Sequence, residues 1–355
     1  MASNLLPCLL ALVLVVFCRA SSTMKCNGME GLCDLRLNEV TLPGTHNSGS
    51  GFNGHLFHWG GGRAISRLWR NQQWDFTRQL DYGIRYFDID TCYVDKDYDK
   101  WWTKGAWICH MGIGTAAYAG PVKKMLKQIN DWMNKPEHAN EVIIIKFGRD
   151  VEVDYKPEEI YKSILGNLKQ MGWKPTAQTK QAKQLTANDI FSENFTWPTL
   201  REAIETNQRV FLFFSEKLLK FKEDPEFPEI PWVLTAEWEI KITWPELLKF
   251  TASCKEIVPK LVEKCEKFVY SRGLLELDVF GSSVTRSTWT MQAHCDKYMQ
   301  KSMDKCFAVR KTKGRTVNAV LADWVDISKS PNTVLDVARK QNERNIAMYK
   351  KSGSK

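Results

Sequence analysis

Apolar residues recur along the chain with two different periods. Glu39–Thr45 (EVTLPGT), Gly83–Tyr93 (GIRYFDIDTCY), Ala106–His110 (AWICH), Glu141–Phe147 (EVIIIKF), Arg209–Ser215 (RVFLFFS), Gly273–Phe280 and Asn318–Val325 (NAVLADWV) are short, rich in β-branched and aromatic residues, and set off by polar or glycine-bearing stretches. They predict strands. Pro121–Asn134 instead places Val122, Met125, Leu126, Ile129 and Met133 at helical spacing, and Glu158–Met171 and Glu256–Phe268 also read as helices. Trp232–Ile242 fits either period, and the chain after Val334 reads as a helix that turns basic and frays. The unbroken apolar runs in EVIIIKF and RVFLFFS mark strands covered on both faces.

Strands alternating with helices predict a parallel α/β architecture. A nucleotide-binding sheet has no support: no G-x-G-x-x-G follows the first strand, and Gly60-Gly61-Gly62 runs straight into Arg63. The better expectation is therefore one (β/α)8 barrel of the TIM type, with its chemistry at the C-terminal ends of the strands.

Composition narrows this further. The 355 residues are 43% hydrophobic and 26% charged, which excludes a disordered or collagen-like chain. The net charge of +9 (50 Lys and Arg against 41 Asp and Glu) suits an anionic surface such as a phospholipid headgroup layer. Basic and acidic residues are mixed throughout, so nucleic acid is not an expected partner, and no obligate protein partner is evident. Leu5–Phe17 is apolar, too short for a membrane span, and followed by Cys18-Arg19-Ala20 as a cleavage point. Residues 1–20 are accordingly expected to be a signal peptide, 21–335 the barrel and 336–355 a basic tail, in a secreted protein.

Cysteine usage fits an oxidising compartment. Eight cysteines remain after the leader, and an even number in a secreted chain implies disulfides. Cys26–Cys33 and Cys92–Cys109 are the expected local pairs. Cys254 and Cys265, like Cys295 and Cys306, are eleven positions apart, so each pair shares a helix face; these four are expected to cross-link two helices. Asn194-Phe195-Thr196 is a glycosylation sequon.

The strand-end rule gathers the candidate chemistry. The first strand ends in Pro43-Gly44-Thr45-His46-Asn47-Ser48, the second carries Asp88-Ile89-Asp90, the third ends in Cys109-His110-Met111-Gly112, and the last carries Asp323. Asp88 and Asp90 are two apart on a strand, so both face one way while Phe87 and Ile89 face the other. Two inward acids need a cation between them or a basic partner. An oxygen-liganded divalent ion with Asn47 as third ligand meets that need; a salt bridge to Arg85 or Lys104 is the alternative. His46 and His110 fit a base and acid pair, with Asp323 orienting one imidazole. His55, His58, His138 and His294 read as surface or structural residues. Glu276 and Asp278 form a further same-face acid pair, expected at the surface or in salt bridges.

TLPGTHNSGS, GIRYFDIDTCY and WICHMG, in this order and followed by the buried strand EVIIIKF, resemble the X domain of phosphoinositide-specific phospholipase C. The resemblance is clearest over Leu35–Phe147; NAVLADWV is similar to the family's last strand. It implies a distorted barrel that cleaves the glycerol-side phosphodiester of phosphatidylinositol to diacylglycerol and a cyclic inositol phosphate. His46 is implied as general base, His110 as general acid and Asp323 as the support of His46. Metal-free bacterial members carry an Arg two residues beyond the position of Asp88. Calcium-dependent members have an acid there and Asn after the first His, so Asp90 and Asn47 follow the calcium pattern, with Asp88 as the further ligand. Two departures stand out. The calcium members' Glu at the end of the EVIIIKF strand is replaced here by Phe147 or Gly148, with Lys146 and Arg149 as nearby charged candidates for substrate contact. The bacterial inositol-binding Arg aligns near Ser215 and Glu216. Glu237 resembles an acid that contacts inositol hydroxyls.

Phe52, Phe57 and Trp59 in one loop, and Trp101-Trp102 beside Lys100 and Lys104 in another, are expected to meet a lipid surface, with packing under the loops as the alternative. Competing readings are a related barrel phosphodiesterase acting on glycerophosphodiesters or other phospholipids, and a secreted lipid-binding protein that has lost catalysis.

Overall fold

The computed structural model describes residues 24–54, 57–58, 70–97, 103–112, 115–148, 156–171, 196–214, 233–236, 263, 265, 274–278, 288–311, 316–328 and 333–353. Residues 1–20, Arg149, Asn194, Glu237, Cys254, Trp59, Trp101 and Trp102 lie outside these residues, as do the side chains of Phe57 and Asp278.

In chain order the strands are β1 (Lys25–Cys26), β2 (Met29–Glu30), β3 (Leu42–Thr45), β4 (Phe57–His58), β5 (Tyr86–Val94), β6 (Gly105–Gly112), β7 (Thr115–Pro121), β8 (Ile143–Gly148), β9 (Val210–Phe214), β10 (Val233–Ala236), β11 (Leu274–Asp278) and β12 (Ala319–Ala322). The helices are α1 (Phe76–Tyr82), α2 (Val122–Met133), α3 (Pro157–Gln170), α4 (Leu200–Glu205), α5 (Thr288–Lys311) and α6 (Val334–Gly353). Parallel pairings run β9–β8–β5–β3–β12–β11–β10, so the N-terminal strand β3 lies between β5 and the late strand β12.

Alternation along each strand sorts its side chains into two layers. Ile143, Ile145 and Phe147 of β8 face outward and pack with Met125, Leu126 and Ile129 of α2 and Ile160 and Ile164 of α3. Ile144 faces inward among Leu42, Tyr86, Phe211, Leu274 and Leu321. The whole of β8 is buried, which is why EVIIIKF carries no polar alternation. Cys26, Leu32, Leu35 and Leu37, with Trp197 and Leu200, join the inner cluster and close the end of the barrel away from the strand C-termini.

Three expectations change. The AWICH strand is not a parallel barrel strand: β5 continues past the barrel from Thr91 to Val94 and pairs antiparallel with β6, which pairs antiparallel with β7. Among the described residues no helix separates β5 from β6 or β6 from β7, so the strands form an antiparallel meander, and period-2 patterning alone does not report strand direction. Phe52, expected at a lipid surface, is 1% exposed and packs 5.6 Å from the Phe76 ring. The tail is not frayed: α6 runs to Gly353 and buries Val337, Ala338, Gln341, Asn342 and Asn345. Asn342 accepts from the Thr41 amide (2.7 Å) and donates to its carbonyl (2.8 Å), fastening α6 to the segment entering β3.

Disulfides join Cys26 to Cys33, Cys92 to Cys109 and Cys265 to Cys306. His138 is structural, stacked on Trp132 at 3.5 Å between ring centroids.

Candidate active site

The turn after β3 is built by short polar side chains. Ser48 Oγ donates to the Thr45 carbonyl (2.7 Å) and accepts from the Asp88 amide (2.9 Å). Asn47 takes a left-handed backbone, φ 43°, a conformation Asn tolerates better than most residues. This turn projects His46 and Asn47 toward the strand C-termini. Gln72 locks it to β12 by donating to the carbonyls of His46 (3.0 Å) and Ala322 (2.8 Å).

His46, His110 and Asp323 come together as expected. His46 Nδ1 lies 2.9 Å from Asp323 Oδ1, whose side chain is 1% exposed. The Asn47 side-chain amide lies 3.1 Å from His46 Nε2 and 2.6 Å from His110 Nδ1, and donates to Asn71 Oδ1 (3.2 Å). The amide has two hydrogens for these three neighbours; with one on Asn71 Oδ1, the other suits the nearer ring nitrogen, His110 Nδ1, while the Asp323 carboxylate draws the proton of His46 to Nδ1. His46 carries its proton on Nδ1, toward Asp323, leaving Nε2 with a lone pair. His110 accepts at Nδ1 and therefore carries its proton on Nε2. One ring is set to take a proton and the other to give one, with ring centroids 6.4 Å apart.

Asn71 and Gln72 also hold this arrangement together, and the sequence did not disclose them. Asn71 Nδ2 donates to Asp323 Oδ2 at 3.0 Å, so Asp323 is held at both oxygens. Both residues are buried, 2% and 0% exposed. They sit in Asn71-Gln72-Gln73-Trp74, polar residues without periodicity or motif.

A small cleft is lined by Asn47, Ser50, Asp90, Cys109 and His110. Asn47 Oδ1 is buried and has no hydrogen-bond partner, and Asp90 faces the same space; an orphaned amide oxygen beside a carboxylate fits an oxygen-liganded cation. Among the described residues, no group of three or more His, Cys, Asp or Glu is arranged to hold a metal. Asp88 is engaged by a basic partner, and that partner is Lys146 (3.0 Å) rather than Arg85 or Lys104; Arg85 pairs with Glu141 at 2.7 Å. Lys146 also binds both oxygens of Glu276, at 2.8 and 3.0 Å. Glu276 is thus salt-bridged and buried, and accepts a further bond from the Tyr86 hydroxyl. Burial pushes the Glu276 carboxyl above its ordinary range, against the pull of Lys146. Burial and the Glu276 charge hold the Tyr86 hydroxyl well above its usual value, so it stays a neutral donor.

The family's missing Glu has a physical reason in this chain. Phe147 points outward and stacks on Phe214 at 5.2 Å. A Cβ on Gly148 would come within 2.7 Å of Asp90 Oδ1. A carboxylate at Phe147 would point away from Asp90, and one at Gly148 would require the Asp90 side chain to shift.

Similar proteins were found by sequence and by structure. PI-PLC X domain-containing protein 1 of Arthroderma benhamiae is 28% identical over 209 residues, 59% of this chain and 57% of that protein. An uncharacterized protein of Mycobacterium tuberculosis is 28% identical over 140 residues, 38% of this chain and 26% of that protein. The chain thus spans about half and about a quarter of these relatives. The phosphatidylinositol-specific phospholipase C of Listeria monocytogenes superposes with TM-score 0.54 at 13% identity, over 86% of this chain and 94% of that one. A double mutant of the Staphylococcus aureus enzyme gives 0.52 at 18%, over 87% and 93%. At these identities the likeness is one of fold, and it agrees with the α/β barrel described above. The PI-PLC X 1 family model matches residues 32–336 and so takes in both histidines, Asn71 and Asp323: the chain belongs to the PI-PLC X family.

Proposed function

We propose that the chain is a secreted phospholipase C that cleaves phosphatidylinositol-like lipids by intramolecular attack. His46 Nε2 removes the proton of the inositol 2-hydroxyl. The oxygen attacks phosphorus, the bond from phosphorus to the glycerol oxygen breaks, and His110 Nε2–H protonates that leaving oxygen. Diacylglycerol and a cyclic inositol phosphate result. With the proton roles reversed, water opens the ring. Asp323 holds His46 in the required tautomer and offsets its positive charge once protonated. The observation that carries this reading is that His46 Nδ1 faces the Asp323 carboxylate at 2.9 Å while His110 Nδ1 faces the Asn47 amide at 2.6 Å, contacts that suit opposite proton roles for the two imidazoles.

Asn47 and Asp90, with Asp88 as a further carboxylate, are the residues that would hold calcium. The ion, when bound, supplies positive charge beside the phosphoryl oxygens. Glu237 and Arg149 remain the proposed contacts to the headgroup. Trp101 and Trp102, with the net charge of +9, are proposed to dock the enzyme on the lipid surface.

The test is to incubate the protein with a panel of phospholipids, with and without calcium, and identify the products by phosphorus NMR. A cyclic inositol phosphate from phosphatidylinositol supports the proposal. Failure to turn over any lipid, by protein whose fold is intact, removes it and favours a lipid-binding role.

A further inference from the structure

The residue opposite Asp88 in the strand register is Lys146. Its neighbours Ile145 and Phe147 face the helices, so alternation turns Lys146 into the barrel. Its ammonium crosses the interior from β8 to Glu276 on β11, a strand that lies three places from β5 in the parallel order. Lys146, Asp88 and Glu276 are 8%, 6% and 1% exposed, so the three charges meet away from bulk water. Under such burial an ammonium held at 3.0 Å by a carboxylate competes strongly with any other cation for that oxygen.

We infer that Lys146 is a resident cation that sets how weakly the oxygen cluster at the strand ends binds a divalent ion. Of the acids facing this end of the barrel, Asp88 is already paired with Lys146, and the cleft is lined by Asn47, whose Oδ1 accepts no hydrogen bond, and by Asp90. Calcium prefers about six to eight oxygen ligands, and its affinity follows the number of carboxylates supplied. A divalent ion here must therefore either do without Asp88 or displace the Lys146 ammonium from it. Gly148 supplies no carboxylate of its own, and a side chain there would make Asp90 move. This inference rests on the proposed role of Asn47 and Asp90 as cation ligands.

The experiment measures calcium affinity directly, by titration calorimetry and by competition with terbium luminescence, on the whole protein. Lys146→Met removes the ammonium but strands Glu276, so the decisive variant is Lys146→Met combined with Glu276→Gln. The Gln carbonyl still accepts from Tyr86 and carries no charge, so Asp88 alone is left without its ammonium and open to a metal ion. Circular dichroism establishes that the variant is folded. The expected result is calcium binding roughly 10- to 100-fold tighter than wild type, returning to the wild-type value when Asp88→Asn is added. Unchanged or weaker binding by the folded double variant overturns the inference. So does tightening that survives Asp88→Asn, or no detectable binding by any of these proteins. None of these results touches the histidine chemistry, which is scored separately by the phosphorus products of the wild-type enzyme.

Discussion

His46 Nδ1 and Asp323 Oδ1 lie 2.9 Å apart although 277 positions separate them in the chain. They meet because β3 and β12 are parallel neighbours in register, Thr45 opposite Ala322, so the residues that follow each strand emerge side by side. Replacing either histidine with Ala should lower hydrolysis by about 10²- to 10⁴-fold. Asp323→Asn should also lower kcat, because an amide can present N–H to His46 and reverse its tautomer. Folded variants with near wild-type turnover would take these residues out of the mechanism.

Asn71 should act through Asp323. Its side chain donates at 3.0 Å to a carboxylate that is 1% exposed, and a hydrogen bond to a buried charge contributes about 1.5–3 kcal/mol. Asn71→Ala is therefore expected to lower stability by about 2 kcal/mol in urea unfolding and to reduce kcat more than KM. Asn71→Asp, which places a second negative charge beside Asp323, should be worse on both counts. An Ala variant with unaltered stability and kcat would show that Asp323 is held by His46 alone.

Removal of divalent ions should reduce turnover, and calcium should restore it. The weak donor set of Asn47 Oδ1 and Asp90 places the required calcium at roughly 0.1–1 mM, the range of open sites with few carboxylates. Asp90→Asn should raise that concentration further. Full activity after exhaustive chelation would assign Asp90 some other task.

The Cys92–Cys109 bond should matter to both stability and catalysis. It closes a separation of 17 residues and ends one position before His110. Changing both cysteines to Ser should cost about 3 kcal/mol by the loop-closure relation. It should also lower kcat, since β6, which carries His110, would lose its covalent tie to β5. A double Ser variant with unchanged kcat but reduced stability would confine the disulfide to a structural role.

Much of this site was legible in the sequence, because the residues lie at the ends of apolar runs whose period is unambiguous. His46, Asp88, Asp90 and Asp323 needed only the strand and the rule about its C-terminal end. His110 was placed correctly from a strand whose direction was misread, since a meander off β5 brings it to the same rim as a parallel strand would. The Asn71 and Gln72 contacts left no trace, because a buried amide bonded to distant backbone looks like any loop residue until the fold is known. The partner of Asp88 was missed for a related reason. Lys146 lies inside an apolar run, and its inward direction follows only from the register of β8 against β5.

The place of β3 in the sheet has a consequence for biosynthesis. Leu42–Thr45 is among the first strands made, yet one of its two edges waits for Ala319–Ala322. During translation that edge stays open while more than 270 residues are added, a long interval in which an unpaired strand invites misassociation. His46 and Asp323 cannot meet until β12 docks, so a nascent chain lacks the proposed acid–base arrangement, and late strand closure rather than local chemistry would time the onset of the proposed activity.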